Sequence, residues 1–131
     1  MKYPNILLID DDEDDQEIFI AALKDVSDSV ICTVLGDANE ALQKLVAKDI
    51  VPDVIFLDLN MPVMNGQQFL VTIKSNMALK DIRVIIFSTS SHPATIQLTK
   101  QLGASDFITK PNKYNDLVNI LSNFCAENQR N

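Results

Sequence analysis

The chain has 131 residues and little of what punctuates or cross-links a fold: three glycines, five prolines and two cysteines. So few glycines and prolines exclude collagen-like, linker-rich and low-complexity organisations. Cys32 and Cys125 stand far apart in apolar surroundings, and neither has a second cysteine or a histidine at metal-ligand spacing. Both read as buried thiols rather than as a zinc pair. No apolar run approaches the roughly 18 to 20 residues that a membrane span needs. The opening segment MKYPNILLID lacks the basic, apolar and small-residue succession of a secretory signal. A cytoplasmic protein with no membrane insertion is the expectation.

A basic stripe is missing too. Eleven Lys and Arg face eighteen Asp and Glu, for a net charge of −7. Nucleic acid needs cationic side chains to neutralise its phosphates, so it is not an expected partner. The deficit is local: Asp10, Asp11, Asp12, Glu13, Asp14, Asp15 and Glu17 fall in one short stretch without a base, and the rest of the chain is formally neutral. Such a concentration calls for a cation.

Apolar residues make up 47% of the chain, enough for one compact core at this length. Short apolar runs recur at Ile6–Ile9, Val30–Leu35, Val54–Leu57, Val84–Phe87 and, more weakly, Phe107–Thr109. Nearly unbroken runs of this length suit strands buried on both faces of a parallel sheet. Helical stripes alternate with them: Ile18, Phe19, Ala22, Leu23 and Val26; Ala38, Ala41, Leu42, Leu45 and Val46; Phe69, Leu70, Ile73 and Met77; Ala94, Leu98 and Leu102; Leu117, Ile120, Leu121, Phe124 and Cys125. Asp37 is placed to cap the second helix, Ser91 with His92 and Pro93 to open the fourth, and Gly103 to close it. Five β–α units with right-handed crossovers fit a doubly wound α/β sheet. The residues left after the fifth run suffice for one helix, so no output domain is expected.

In open α/β sheets the ligand site lies beyond the carboxyl ends of the strands. The residues that end the runs there are Asp10 and Asp11, Asp58, Ser88 and Lys110. Three neighbouring carboxylates repel one another unless a cation neutralises them. Mg²⁺ suits an all-oxygen set better than zinc does. With the metal in place, a carboxylate can attack a phosphoryl group, Lys110 can neutralise charge on it, and Ser88 can hydrogen-bond one of its oxygens. Asp14, Asp15 and Glu17 read as a solvated first helical turn at the positive end of the helix dipole. His92, the single histidine, has no role in this scheme. Gly66 follows Asn65 in a turn and serves backbone geometry, Pro62 shapes the loop behind Asp58, and Met61 and Met64 anchor it.

The ordered stretches ILLIDDDEDD, VIFLDLNMPVMNG, VIIFSTS and FITKP resemble the receiver domains of two-component response regulators, in the stand-alone form typified by the chemotaxis regulator. The likeness runs from Ile6 to about Phe124. It implies a flavodoxin-like (βα)5 fold with strand order 2-1-3-4-5, in one receiver domain over 1–131 with its core over about 5–126. It further implies Asp58 as phospho-acceptor from the phosphohistidine of a sensor histidine kinase or a histidine phosphotransfer protein. Mg²⁺, with Mn²⁺ able to substitute, would be bound by Asp11, Asp58, Asp10 through water, and the backbone carbonyl of Asn60. Ser88 would move toward the phosphate and Phe107 would turn inward, passing the signal to a downstream protein through the fourth helix, fifth strand and fifth helix. The Lys110–Pro111 bond would be cis, and Asn60 and Ser90 would tune loss of the phosphate. On this likeness the chain catalyses only its own phosphorylation and dephosphorylation. Thr89 departs from the common small residue and competes with Ser88 as the switch hydroxyl, and Asn112, Lys113 and Tyr114 replace the usual aromatic after Lys-Pro. A phosphohydrolase resembling the haloacid dehalogenases is the alternative enzyme reading, but Asn60 stands where its second acid belongs. A pseudo-receiver that binds without taking phosphate is the other alternative, and the complete residue set argues against it.

Overall fold

A computed structural model describes residues 5–61 and 64–129, with the helical backbone alone for 127–129. The elements alternate strictly: β1 (Asn5–Ile9), α1 (Glu13–Val26), β2 (Ile31–Leu35), α2 (Ala38–Val46), β3 (Val54–Leu57), α3 (Gly66–Lys74), β4 (Arg83–Ser88), α4 (Pro93–Gln101), β5 (Asp106–Thr109) and α5 (Tyr114–Gln129). All strand pairs are parallel, in the order β2-β1-β3-β4-β5. The expected doubly wound, flavodoxin-like sheet is therefore present.

The central strands explain why their sequences are apolar without alternation. Leu7 and Ile9 of β1 pack into a core beneath α2 and α3, while Ile6 and Leu8 pack into a second core beneath α1 and α5. Both faces of β1 and β3 are covered, so every side chain from Ile6 to Ile9 and from Val54 to Leu57 leaves water. The second core holds a cluster of aromatic rings: Phe56 meets Phe19, Phe87 and Phe124 edge-to-face, with centroids 5.2 to 6.2 Å apart. The edge strands β2 and β5 are only partly covered.

Helix boundaries follow local chemistry. Asp12 caps α1 by accepting from the Asp15 backbone N–H, and Asp37 caps α2 by accepting from Asn39 and Glu40. Asn65 and Gln68 form a reciprocal capping box at the start of α3. Gly103 takes φ +112 just past α4, the left-handed position expected for it.

Four expectations need correction. The residue that caps α4 is His92, not Ser91, and it makes no side-chain cap bond; Pro93 at the first helical position supplies the start by its fixed φ. On α4 the stripe Ala94, Leu98 and Leu102 does not form the buried face: Leu98 is 40% exposed and Thr99 is the buried residue, its hydroxyl donating to the Ile96 carbonyl. Met77 lies beyond the end of α3 and is 80% exposed, because α3 stops at the Ser75 cap. Cys32 is half-buried on edge strand β2, whereas Cys125 is buried; burial pushes the Cys32 thiol up to about 11.

Candidate functional site

The sheet order reverses between β1 and β3, and the acids stand beyond the carboxyl ends of these two strands. Each is fixed through its own backbone. The Asp10 N–H donates to the Leu35 carbonyl, the Asp58 N–H to that of Ile9, and the Lys110 N–H to that of Ser88. The strand ladder thus continues one residue past each strand, and the parallel register brings side chains from β1, β3, β4 and β5 to one rim.

Carboxylate oxygens of Asp10, Asp11 and Asp58 lie within 4.8 Å of one another. Asp10 and Asp58 are buried and Asp11 is exposed, so the cluster opens to solvent on the Asp11 side. The Lys110 ammonium donates to Asp10 at 2.8 Å and to Asp15 at 2.9 Å, and stands 3.9 Å from Asp58. Its charge also lies 5.6 Å from the centre of the Phe87 ring. The second Asp10 oxygen accepts from the Asp12 N–H at 2.9 Å, and one Asp58 oxygen accepts from the Asn60 N–H at 3.3 Å.

The electrostatics follow from burial. Asp58 is pushed up to about 6 by loss of water, with Lys110 opposing and the Asp10 and Asp11 charges adding to the rise. Asp10 is also raised by burial, and its hydrogen bond from Lys110 offsets only part. Burial would lower Lys110, but the bonds to Asp10 and Asp15 outweigh it and hold its proton more tightly than usual. A site that raises two carboxyls in this way favours a cation, and its donor set is all oxygen, as a hard divalent ion requires.

The structure brings Asp10, Asp11, Asp58 and Lys110 together as the sequence suggests. Ser88 is fully buried at the end of β4, its hydroxyl accepting from the Ser90 N–H at 3.2 Å, and Thr89 is exposed beside it. Asn60 is exposed on the loop after β3. Phe107 is half-buried and lines a cavity of about 240 Å³ with Ile96 and Thr99 of α4. Met61 is buried and Met64 packs against the core, while Pro62 lies outside the described residues. Gly66 is a close-approach glycine: a Cβ there would lie 2.7 Å from the Leu59 Cα and nearer still to the Asp58 carbonyl oxygen. Two readings change. The Lys110–Pro111 bond is trans, as is every described peptide bond, rather than the expected cis; trans is favoured at an X–Pro bond by only about 0.5–1 kcal/mol, so either isomer is open to a folded chain. Asp15 is not a solvated helix-turn acid but a direct partner of Lys110. Its partner lies 95 positions away in the chain, so no local spacing signalled the pair.

A flavodoxin-like sheet with an acidic, lysine-bridged pocket at its strand ends defines the class of this protein. Residues 6–122 match the response regulator receiver domain, and the chain belongs to that family. The structure of the phosphorylated cyanobacterial phytochrome response regulator RcpA superposes with a TM-score of 0.85 at 30% identity, covering 93% of this chain and 91% of that one. The Mn²⁺-bound form of the response regulator Rcp1 gives 0.81 at 28% identity, covering 92% and 91%. A protein-glutamate methylesterase/protein-glutamine glutaminase of Myxococcus xanthus is 35% identical over 107 residues, which is 82% of this chain and 30% of that protein. The chain spans less than a third of the length of the first curated relatives it matches. No helix among the described residues is long and apolar enough to cross a membrane.

Proposed function

We propose that this receiver takes a phosphoryl group onto Asp58 from the phosphohistidine of a histidine kinase or phosphotransfer protein. The observation that carries the reading is the convergence of three carboxylates within 4.8 Å beside a lysine ammonium 3.9 Å from Asp58. An Asp58 carboxylate oxygen attacks phosphorus, a P–O bond forms and the P–N bond breaks, and the imidazole leaves neutral because its other nitrogen carries a proton. Asp11 and Asp58, with Asp10 acting indirectly and Asn60 offering its backbone carbonyl, would hold Mg²⁺ or Mn²⁺. When bound, the ion supplies neutralisation of the carboxylates and of the anionic donor, which would otherwise repel each other. Lys110 balances charge on the transferred group, and Ser88, already at the rim, hydrogen-bonds one of its oxygens.

The output follows from the same local change. A phosphoryl group adds about two negative charges beside Lys110. Ser88 drawn toward it leaves space behind, and the cavity beside Phe107 gives that ring room to turn. The surface formed by α4, β5 and α5 then changes for a downstream protein. Incubation with acetyl phosphate and Mg²⁺ tests this reading: the unaltered protein gains one phosphoryl group by intact mass, and Asp58→Asn gains none. Equal labelling of the two would refute it.

A further inference from the structure

Lys110 is shared in a way that the phosphoryl-transfer scheme does not require. Its ammonium lies within hydrogen-bond distance of Asp10 and Asp15, 2.8 and 2.9 Å, but 3.9 Å from Asp58. Asp15 stands in the first turn of α1, 95 positions away in the chain, on a helix that contributes no other ion-pair partner to this lysine among the described residues. With a side chain 10% exposed, Lys110 has little room to adopt several positions; the side chain of Asp15 is 36% exposed and reaches in from the rim.

We propose that Asp15 is a positioning residue that parks the Lys110 ammonium on α1, so that the lysine must leave Asp15 to serve the phosphoryl group at Asp58. The inference rests on the reading of Asp58 as acceptor. In the resting state Asp10 and Asp15 hold two of the three ammonium protons. As phosphorus approaches Asp58, its oxygens compete for the same protons, and the Asp15 contact is the one to yield, because it is the more exposed and the more easily replaced by water. Asp10, fully buried, cannot lose its partner without leaving a charge uncompensated. The parked contact therefore slows transfer and links occupancy of Asp58 to the first turn of α1.

The test compares Asp15→Asn with Asp14→Asn, which makes the same charge change at an exposed neighbouring position, and with Asp15→Glu, which keeps the carboxylate. With acetyl phosphate and Mg²⁺, a carboxylate oxygen of Asp58 displaces acetate from phosphorus. Asp15→Asn is expected to label about three-fold faster than the unaltered protein, the size of one partly exposed ion pair. Asp14→Asn should match the unaltered protein, and Asp15→Glu should return the rate toward it. In about 1 M salt, where an exposed pair is screened, the difference should shrink toward none. The ¹⁵N resonance of the Lys110 ammonium in unphosphorylated protein gives a readout independent of labelling, expected to move in Asp15→Asn and to stay in place in Asp14→Asn. An unmoved resonance, or equal rates for the two asparagine variants, overturns the parking role. Failure of the unaltered protein to take any label would overturn the acceptor reading of Asp58 instead, and the resonance would still decide where the lysine rests.

Discussion

The centre of the sheet and its β5 flank are built to different standards. Strands β1 and β3 are covered by helices on both faces, and the residues that follow them, Asp10 and Asp58, are buried with them. On the flank, β5 is half-covered and α4 buries Thr99 alone among its residues, with a cavity of about 240 Å³ between them. Asp10 and Asp58 thus stand on the fully packed part of the molecule, while Phe107 stands beside a cavity on the part that is only half covered. A change of charge at the rim costs little to transmit on that side.

Three experiments sharpen or break this contrast. The largest effect is expected at the centre: Phe56→Ala removes the ring that meets Phe19, Phe87 and Phe124, and should lower stability by about 3 to 5 kcal/mol in urea denaturation. A loss below about 1 kcal/mol would show that the centre is not the rigid half.

The next effect is electrostatic. The folded-state value of Asp58, about 6, lies above its ordinary 3.8, so the folded protein binds this proton more tightly than the unfolded chain does. The stability contributed by protonation is fully present below pH 3.8, falls as pH rises, and is lost above pH 6. Without divalent ions, Asp58→Asn should therefore be more stable than the unaltered protein at neutral pH by about 2 to 3 kcal/mol, with the gap closing on acidification through that window. Identical pH profiles for the two proteins would contradict a strained carboxylate at the rim.

The smallest effect is expected on the flank. Leu98→Ala trims a side chain already 40% exposed, and should cost under about 1 kcal/mol by the same denaturation measurement. A loss comparable to that of Phe56→Ala would erase the distinction between centre and flank.

The flank is also where the sequence was hardest to read. The central strands were legible because burial on both faces leaves an unbroken apolar run, and Asp10, Asp11, Asp58, Ser88 and Lys110 were legible because each terminates such a run. On α4 the same logic misled. A three-residue stripe identifies a buried face only where something covers it, and there a threonine satisfied by its own helix lies inward while Leu98 faces out. Met77 continued the periodicity of α3 past its end, since spacing alone does not reveal the Ser75 cap. Asp15 looked like an ordinary helix-start acid because its partner comes 95 positions later, a distance no local pattern spans. The trans bond at Pro111 was equally out of reach, as the two isomers of an X–Pro bond differ too little for sequence to choose.

The pairing of Asp10 with Lys110 across 100 positions also orders events during synthesis. A ribosome delivers the acids of β1 and β3 long before it releases the lysine that follows β5. Until that lysine emerges, a closed sheet would bury Asp10 without the hydrogen bond that Lys110 donates to it. A lysine delivered late in synthesis thus answers an acid delivered early, and the pocket gains this internal counter-charge only when β5 takes its place at the edge of the sheet.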